Sequence, residues 1–133
     1  MAKRLTKEDI RASSGILNPV GHVVLAFKDD ATMQQAVAAL RAAGSADADI
    51  LAYTAEEATP RLRERVRTAS EAAGFGYEIT LMRRYLAYAE DGAGWLIVYA
   101  PDDAAVARVV EVAKRLDARC AVRYHRLANE DLL

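Results

Sequence analysis

The amino-acid sequence predicts a single α+β domain. Three observations predict it: an internal repeat of an apolar run leading into Asp-Asp-Ala and a helical pattern, a short second strand after each such helix, and a length of 133 residues, which suits one core. At an offset of 73 residues, Val23-Val24-Leu25-Ala26-Phe27-Lys28-Asp29-Asp30-Ala31 superposes on Leu96-Ile97-Val98-Tyr99-Ala100-Pro101-Asp102-Asp103-Ala104. Two βαβ units in tandem describe a ferredoxin-like split βαβ repeat. Its sheet has four antiparallel strands, and the two repeat helices lie on one face.

The elements follow in order. Residues 1–20 read as an N-terminal arm with one short helical start at Thr6, mobile at its tip. Residues 21–133 form the domain. Its first strand leads into a helix patterned by Met33, Val37 and Leu40, which stops at Gly44 before a strand from Ile50 to Tyr53. Val106, Val109, Val110 and Leu116 pattern the second repeat helix, which stops near Asp117 before a strand from Cys120 to His125. Aspartate suits both helix starts, because its carboxylate accepts orphan amide hydrogens and favours the positive end of the dipole.

Between the halves, residues 54–92 are too long for an unstructured connection and are expected to form a helical insertion. Thr54-Ala55-Glu56-Glu57 has capping-box spacing, while Thr59-Pro60 offers a second start, so the first residue of this helix is left open. Leu62, Val66, Ala69 and Ala73 make one helical stripe, ended by Gly74 and Gly76. Ile79, Met82, Leu86 and Ala89 make another before Asp91-Gly92. A strand over Tyr85 to Ala89, hairpinned onto Trp95 to Tyr99, is the competing reading, and helix is preferred.

Composition narrows the function. Hydrophobic residues make up 53% of the chain, but 28 residues are alanine, which favours helix over bulk apolar content. The longest apolar run, Trp95 to Ala100, is far short of the ~20 residues of a membrane helix, and no secretory signal pattern opens the chain. A cytoplasmic protein without membrane contact is expected. The single cysteine, Cys120, allows neither an internal disulfide nor a Cys-based metal cage. A net charge of −1 removes the bulk attraction on which nonspecific nucleic-acid binding relies.

Alternation along the strands divides the sheet into two faces. Val23, Leu25, Phe27, Leu96, Val98, Cys120, Val122 and Tyr124 are expected under the repeat helices. The other face then carries His22, Val24, Ala26, Ile50, Ala52, Trp95, Ile97, Tyr99, Arg123 and His125. That second set is too apolar for an open face, so the insertion, a second chain or a ligand is expected to cover it. Of this set, His22, Val24, Trp95, Ile97, Tyr99 and His125 are the candidate ligand or interface residues.

His22, Trp95 and His125 would meet at one end of this face if the first and third strands ran parallel. Two histidines without a placed carboxylate make a poor metal site, so no metal and no cofactor is expected. No nucleophile–base pair, phosphate loop or carboxylate dyad suggests a catalytic residue. Gly94-Trp95-Leu96-Ile97-Val98-Tyr99 weakly echoes the RNA-stacking strand of an RRM, with Ile97 where that pattern has an aromatic. Arg61, Arg63, Arg65, Arg67, Arg83 and Arg84 form the basic cluster, read as a solvated helix face neutralised by nearby glutamates.

The repeat phrases, with Ala-Val-Ala-Ala-Leu-Arg-Ala-Ala-Gly, Ile-Leu-Ala-Tyr-Thr, Gly94 to Asp103 and Arg123-Tyr124-His125-Arg126, resemble an uncharacterised family of small bacterial proteins. More distantly they are similar to heat-induced general-stress protein domains, which share the strand, the helix and the phrase Ala-Leu-x-x-Ala-Gly. The resemblance implies a cytoplasmic protein and carries no catalytic motif. The expected function is a non-enzymatic, stress-associated or regulatory protein acting through assembly of the apolar sheet face, with a second copy of the chain as partner in a homodimer. A small-ligand pocket, or an enzyme of the dimeric α+β-barrel type, is the alternative. RNA binding comes third, and nucleic acid is not an expected partner.

Overall fold

The computed structural model describes residues 3–12, 18–71, 76–126 and 128–133. Five strands, β1 (His22–Phe27), β2 (Ile50–Tyr53), β3 (Gly94–Tyr99), β4 (Cys120–Tyr124) and β5 (Asn129–Asp131), form one sheet of order β2-β3-β1-β4-β5. Every neighbouring pair is antiparallel. The helices are α1 (Lys7–Ala12), α2 (Asp30–Ala42), α3 (Ala55–Glu71), α4 (Gly76–Glu90) and α5 (Asp103–Arg115). None of the described helices is long and apolar enough to cross a membrane.

The repeat governs local structure as its residues imply. Asp29 caps α2 by accepting the Thr32 amide at 2.7 Å, and Asp102 caps α5 by accepting the Ala105 amide at 2.8 Å. The second aspartate of each pair reaches further. Asp30 accepts the Ala55 amide at 2.9 Å and ties the start of α2 to that of α3, while Asp103 meets Arg123 on β4 at 3.0 Å. Gly44, at φ +104°, ends α2, and the amide of Ser45 returns to the Leu40 carbonyl at 2.9 Å.

Helices cover both faces of the sheet. On one side Val23, Leu25, Phe27, Leu96 and Val98 pack under α2 and α5. On the other, Val24, Ala26, Trp95 and Ile97 pack under the insertion helices through Leu62, Leu81, Met82 and Tyr85. Ile10 of α1 joins this second cluster, so the N-terminal segment is docked on the domain. Residues 1–2, where a mobile tip was expected, lie outside the described residues.

The insertion resolves in favour of helix twice. Thr54 and Glu57 form a reciprocal capping box: the Thr54 amide donates to Glu57 Oε1 at 3.0 Å, and the Glu57 amide to Thr54 Oγ1 at 3.1 Å. This satisfies two orphan donors, so α3 starts before Pro60 and carries it inside. In its stripe Leu62 is buried and Val66 half-buried; the Ala69 side chain and residues Ala73 and Gly74 lie outside what is described. The stretch Tyr85 to Ala89 belongs to α4 rather than to a strand.

Three expectations need correction. The sheet has five strands rather than four, because Asn129–Asp131 pairs antiparallel with β4. In β2 and β4 the two faces are exchanged: Leu51 and Tyr53 lie opposite Ile97 and Trp95, and Cys120 and Val122 lie opposite Ala26 and Val24, all facing the insertion. Ile50, Ala52 and Ala121 face the repeat helices. Period-two alternation fixes faces within a strand but not between strands, and both faces here are apolar, so hydrophobicity could not choose. Lastly, β1 and β3 run antiparallel, which separates His22 from Trp95.

Candidate ligand pocket

The pocket is built from the insertion side of the sheet upward. Tyr53 and Trp95 are direct cross-strand partners on β2 and β3, and Ile97 follows two residues along on the same face. Above them α3 presents Ala58, Leu62 and Arg65 at helical spacing i, i+4, i+7, with Ile10 of α1 and Tyr85 of α4 closing the walls. Tyr85 packs edge-on against Trp95 with ring centroids 5.1 Å apart, and its hydroxyl meets that of Tyr124 at 2.9 Å. The indole is therefore held by the insertion on one side and by the sheet on the other.

These residues line a partly open cavity of about 60 Å³. One water needs roughly 10–15 Å³ of such space, so the cavity holds several waters or part of a small organic molecule. Two polar atoms in its wall residues are buried without a hydrogen-bond partner among the described residues, Tyr53 Oη and Trp95 Nε1. Burial pushes the Tyr53 phenol up, opposed chiefly by Arg61, so at neutral pH it keeps its proton and can donate. Buried groups of this kind are nearly always paired, and an unpaired one costs about 1–3 kcal/mol.

Cations surround the pocket. Arg61 is exposed and lines it, with its guanidinium carbon 5.7 Å from the Tyr53 ring centre, and Lys7 Nζ lies over the same ring at 4.6 Å. Arg65 is 9% exposed and donates to the Ile10 carbonyl at 3.3 Å, joining α3 to α1. The acid that acts on Tyr53 is Glu57, whose carboxyl is held low first by the Thr54 amide and which remains committed to that cap.

The candidate residues named from sequence are distributed as follows. Trp95, 4% exposed, and Ile97, 6% exposed, lie in the pocket wall with Val24. His22 and Tyr99 share the same face at the other end of the β1–β3 ladder, with ring centroids 5.2 Å apart. That places His22 about 13 Å from Trp95, four residues away at roughly 3.3 Å each. His125 is exposed, and its Nε2 meets Glu130 across the β4–β5 hairpin at 3.0 Å. The expected trio at one end is thus not assembled.

His22 is 1% exposed, and both ring nitrogens are engaged. Nε2 accepts the Leu5 amide at 3.1 Å, so the proton sits on Nδ1, which donates to the Val20 carbonyl at 2.9 Å. Burial pushes this imidazole below the ordinary histidine range, against the opposing pull of Val20, Pro19 and Asp49. Cys120 is likewise inert: burial pushes its thiol up to about 12. No group of three His, Cys, Asp or Glu residues among those described could hold a metal ion.

Sequence reasoning missed Tyr53, Arg61 and Arg65 as pocket residues. A signal existed for the last: Arg65 falls on the apolar stripe three residues after Leu62, whereas Arg63 and Arg67 point outward to Glu90 and Glu64. The expected solvated face holds for those two and fails for Arg65. No family model, curated protein or solved structure matches the chain.

Proposed function

We propose that the protein is a non-enzymatic binding protein whose working part is the pocket between its sheet and its insertion, and that the ligand is a small molecule with an apolar body. The observation that carries this reading is the pocket of about 60 Å³ itself, its walls almost wholly apolar and built from Tyr53, Trp95 and Ile97 of the sheet and Ala58, Leu62 and Tyr85 of the insertion. Small-molecule sites are mostly apolar and largely preformed in this way. A stress-associated or regulatory role would be exercised through occupancy of this pocket.

Assembly through the apolar sheet face would require α3 and α4 to leave it, since they cover Trp95 and Ile97. The same cover lies over the residues on which an RNA base would stack. The pocket reading therefore takes precedence over both. The order of the first four strands, with α2 and α5 on one face, supports a ferredoxin-like core to which β5 and the insertion have been added.

The chain has one tryptophan, so its fluorescence reports this wall alone. Titration with a panel of three- to six-carbon compounds, neutral and charged, is expected to shift Trp95 emission saturably for at least one member. Ala58→Leu, which fills the cavity from α3, is expected to abolish that response while the protein stays folded. An emission spectrum unmoved by every member overturns the proposal.

A further inference from the structure

We infer that residues 3–12 form a strap along the pocket, latched at Leu5 by the neutral imidazole of His22 and released when that ring takes up a proton. The strap is a wall of the cavity whatever molecule fills it, so the inference does not depend on the ligand reading above.

The strap meets the cavity walls through Ile10 and Lys7. Ile10 lines the cavity together with Leu62 and Trp95, and Lys7 Nζ stands 4.6 Å from the centre of the Tyr53 ring. Polar ties hold it on either side of these contacts: Arg4 pairs with Asp49 at 2.9 Å, and the Ile10 carbonyl accepts from Arg65 at 3.3 Å. The bond from the Leu5 amide to His22 Nε2, at 3.1 Å, joins the strap to β1.

The latch closes in one protonation state only. Nδ1 is committed as donor to the Val20 carbonyl, which leaves Nε2 as the ring's acceptor for the Leu5 amide. A proton on Nε2 sets donor against donor at a residue 1% exposed, and the imidazolium regains an acceptor only by admitting water. The strap is what yields, because β1 is paired into the sheet on both sides. The groups facing the ring do not replace the lost bond. Asp49, the acid whose charge favours the protonated ring, is paired with Arg4; Tyr99 of β3 packs its ring 5.2 Å away; the Tyr124 hydroxyl of β4 meets that of Tyr85; and Arg123 turns to Asp103 on the other face. Burial keeps the imidazole neutral to below the ordinary histidine range, so release belongs to acid conditions.

Amide hydrogen exchange of the full chain between pH 7.5 and 4.5 tests the latch. Opening takes up one proton, so the protection factor of the Leu5 amide is expected to fall about tenfold per pH unit below about pH 6.5, and acrylamide quenching of Trp95 to rise over the same range while far-UV circular dichroism holds. His22→Gln, whose side-chain carbonyl accepts without titrating, is expected to keep Leu5 protected and Trp95 shielded throughout. His22→Phe, without an acceptor, is expected to lose Leu5 protection at every pH. Protection that is flat with pH in the wild type, or that falls equally in His22→Gln, overturns the inference. So does loss of the circular dichroism signal in step with Leu5 protection, which would mark global unfolding; these wild-type readings decide the matter even if neither variant folds. A panel without a ligand, by contrast, removes the pocket reading and leaves the strap standing.

Discussion

The imidazole of His22 accepts the backbone amide of Leu5 at 3.1 Å and so fastens the N-terminal segment to the first residue of the central strand. The acceptor exists only while the ring is neutral. Beside it, Arg4 pairs with Asp49 at 2.9 Å and makes a second, exposed tie.

A pH dependence follows from that bond. The folded-state pKa of His22 lies below its unfolded value of about 6.5, so between the two the unfolded chain binds more protons and stability rises with pH. The contribution is complete above about pH 6.5 and is lost as pH falls toward the folded value. Denaturant midpoints at pH 7.5 and 5.5 are expected to differ for the wild type and to converge in His22→Phe, which fills the space without titrating. Equal midpoints in the wild type would contradict the assignment.

Trp95 is held between sheet and insertion, and its removal should be felt in full. Trp95→Ala is expected to destabilise by about 3–5 kcal/mol, read from equilibrium unfolding, because the wall loses an aromatic that both layers touch. A variant as stable as the wild type would mean that the insertion does not rest on this face.

Gly94 begins β3 where the start of α2 crosses it. A Cβ built there would lie 2.7 Å from Met33 Cβ and 3.0 Å from the Asp29 carbonyl oxygen, so backbone as well as side chain would have to shift. Gly94→Ala is expected to lower stability by about 1–3 kcal/mol with an unchanged m-value. Full stability would show that α2 sits further from the strand.

Cys120 faces the insertion from the end of β4 beside Ala26. With its thiol pushed up to about 12, no thiolate is present in the folded protein at pH 8. Aromatic disulfide reagents are expected to react only as fast as the chain unfolds. Rapid labelling under native conditions would contradict that burial.

Much of this architecture was legible because it is local. The Asp-Asp pairs cap helices through their own side chains, and Thr54 and Glu57 need nothing outside four residues to fix the start of α3. The faces of β1 and β3 were legible too, since each alternates between clusters that both require apolar residues. What escaped depends on pairing between distant segments. The faces of β2 and β4 follow from register with β3 and β1, and the separation of His22 from Trp95 follows from strand direction. Arg65 reads as one of six arginines until the helix phase set by Leu62 turns it inward.

The most direct test reads the indole N–H of Trp95, the only one in the chain, by heteronuclear NMR. Addition of the panel compound that shifts Trp95 emission is expected to move this resonance saturably, with the affinity found by fluorescence, because Trp95 lines the pocket. An indole resonance that stays in place while that compound saturates the protein would put the ligand elsewhere and contradict the account of the pocket.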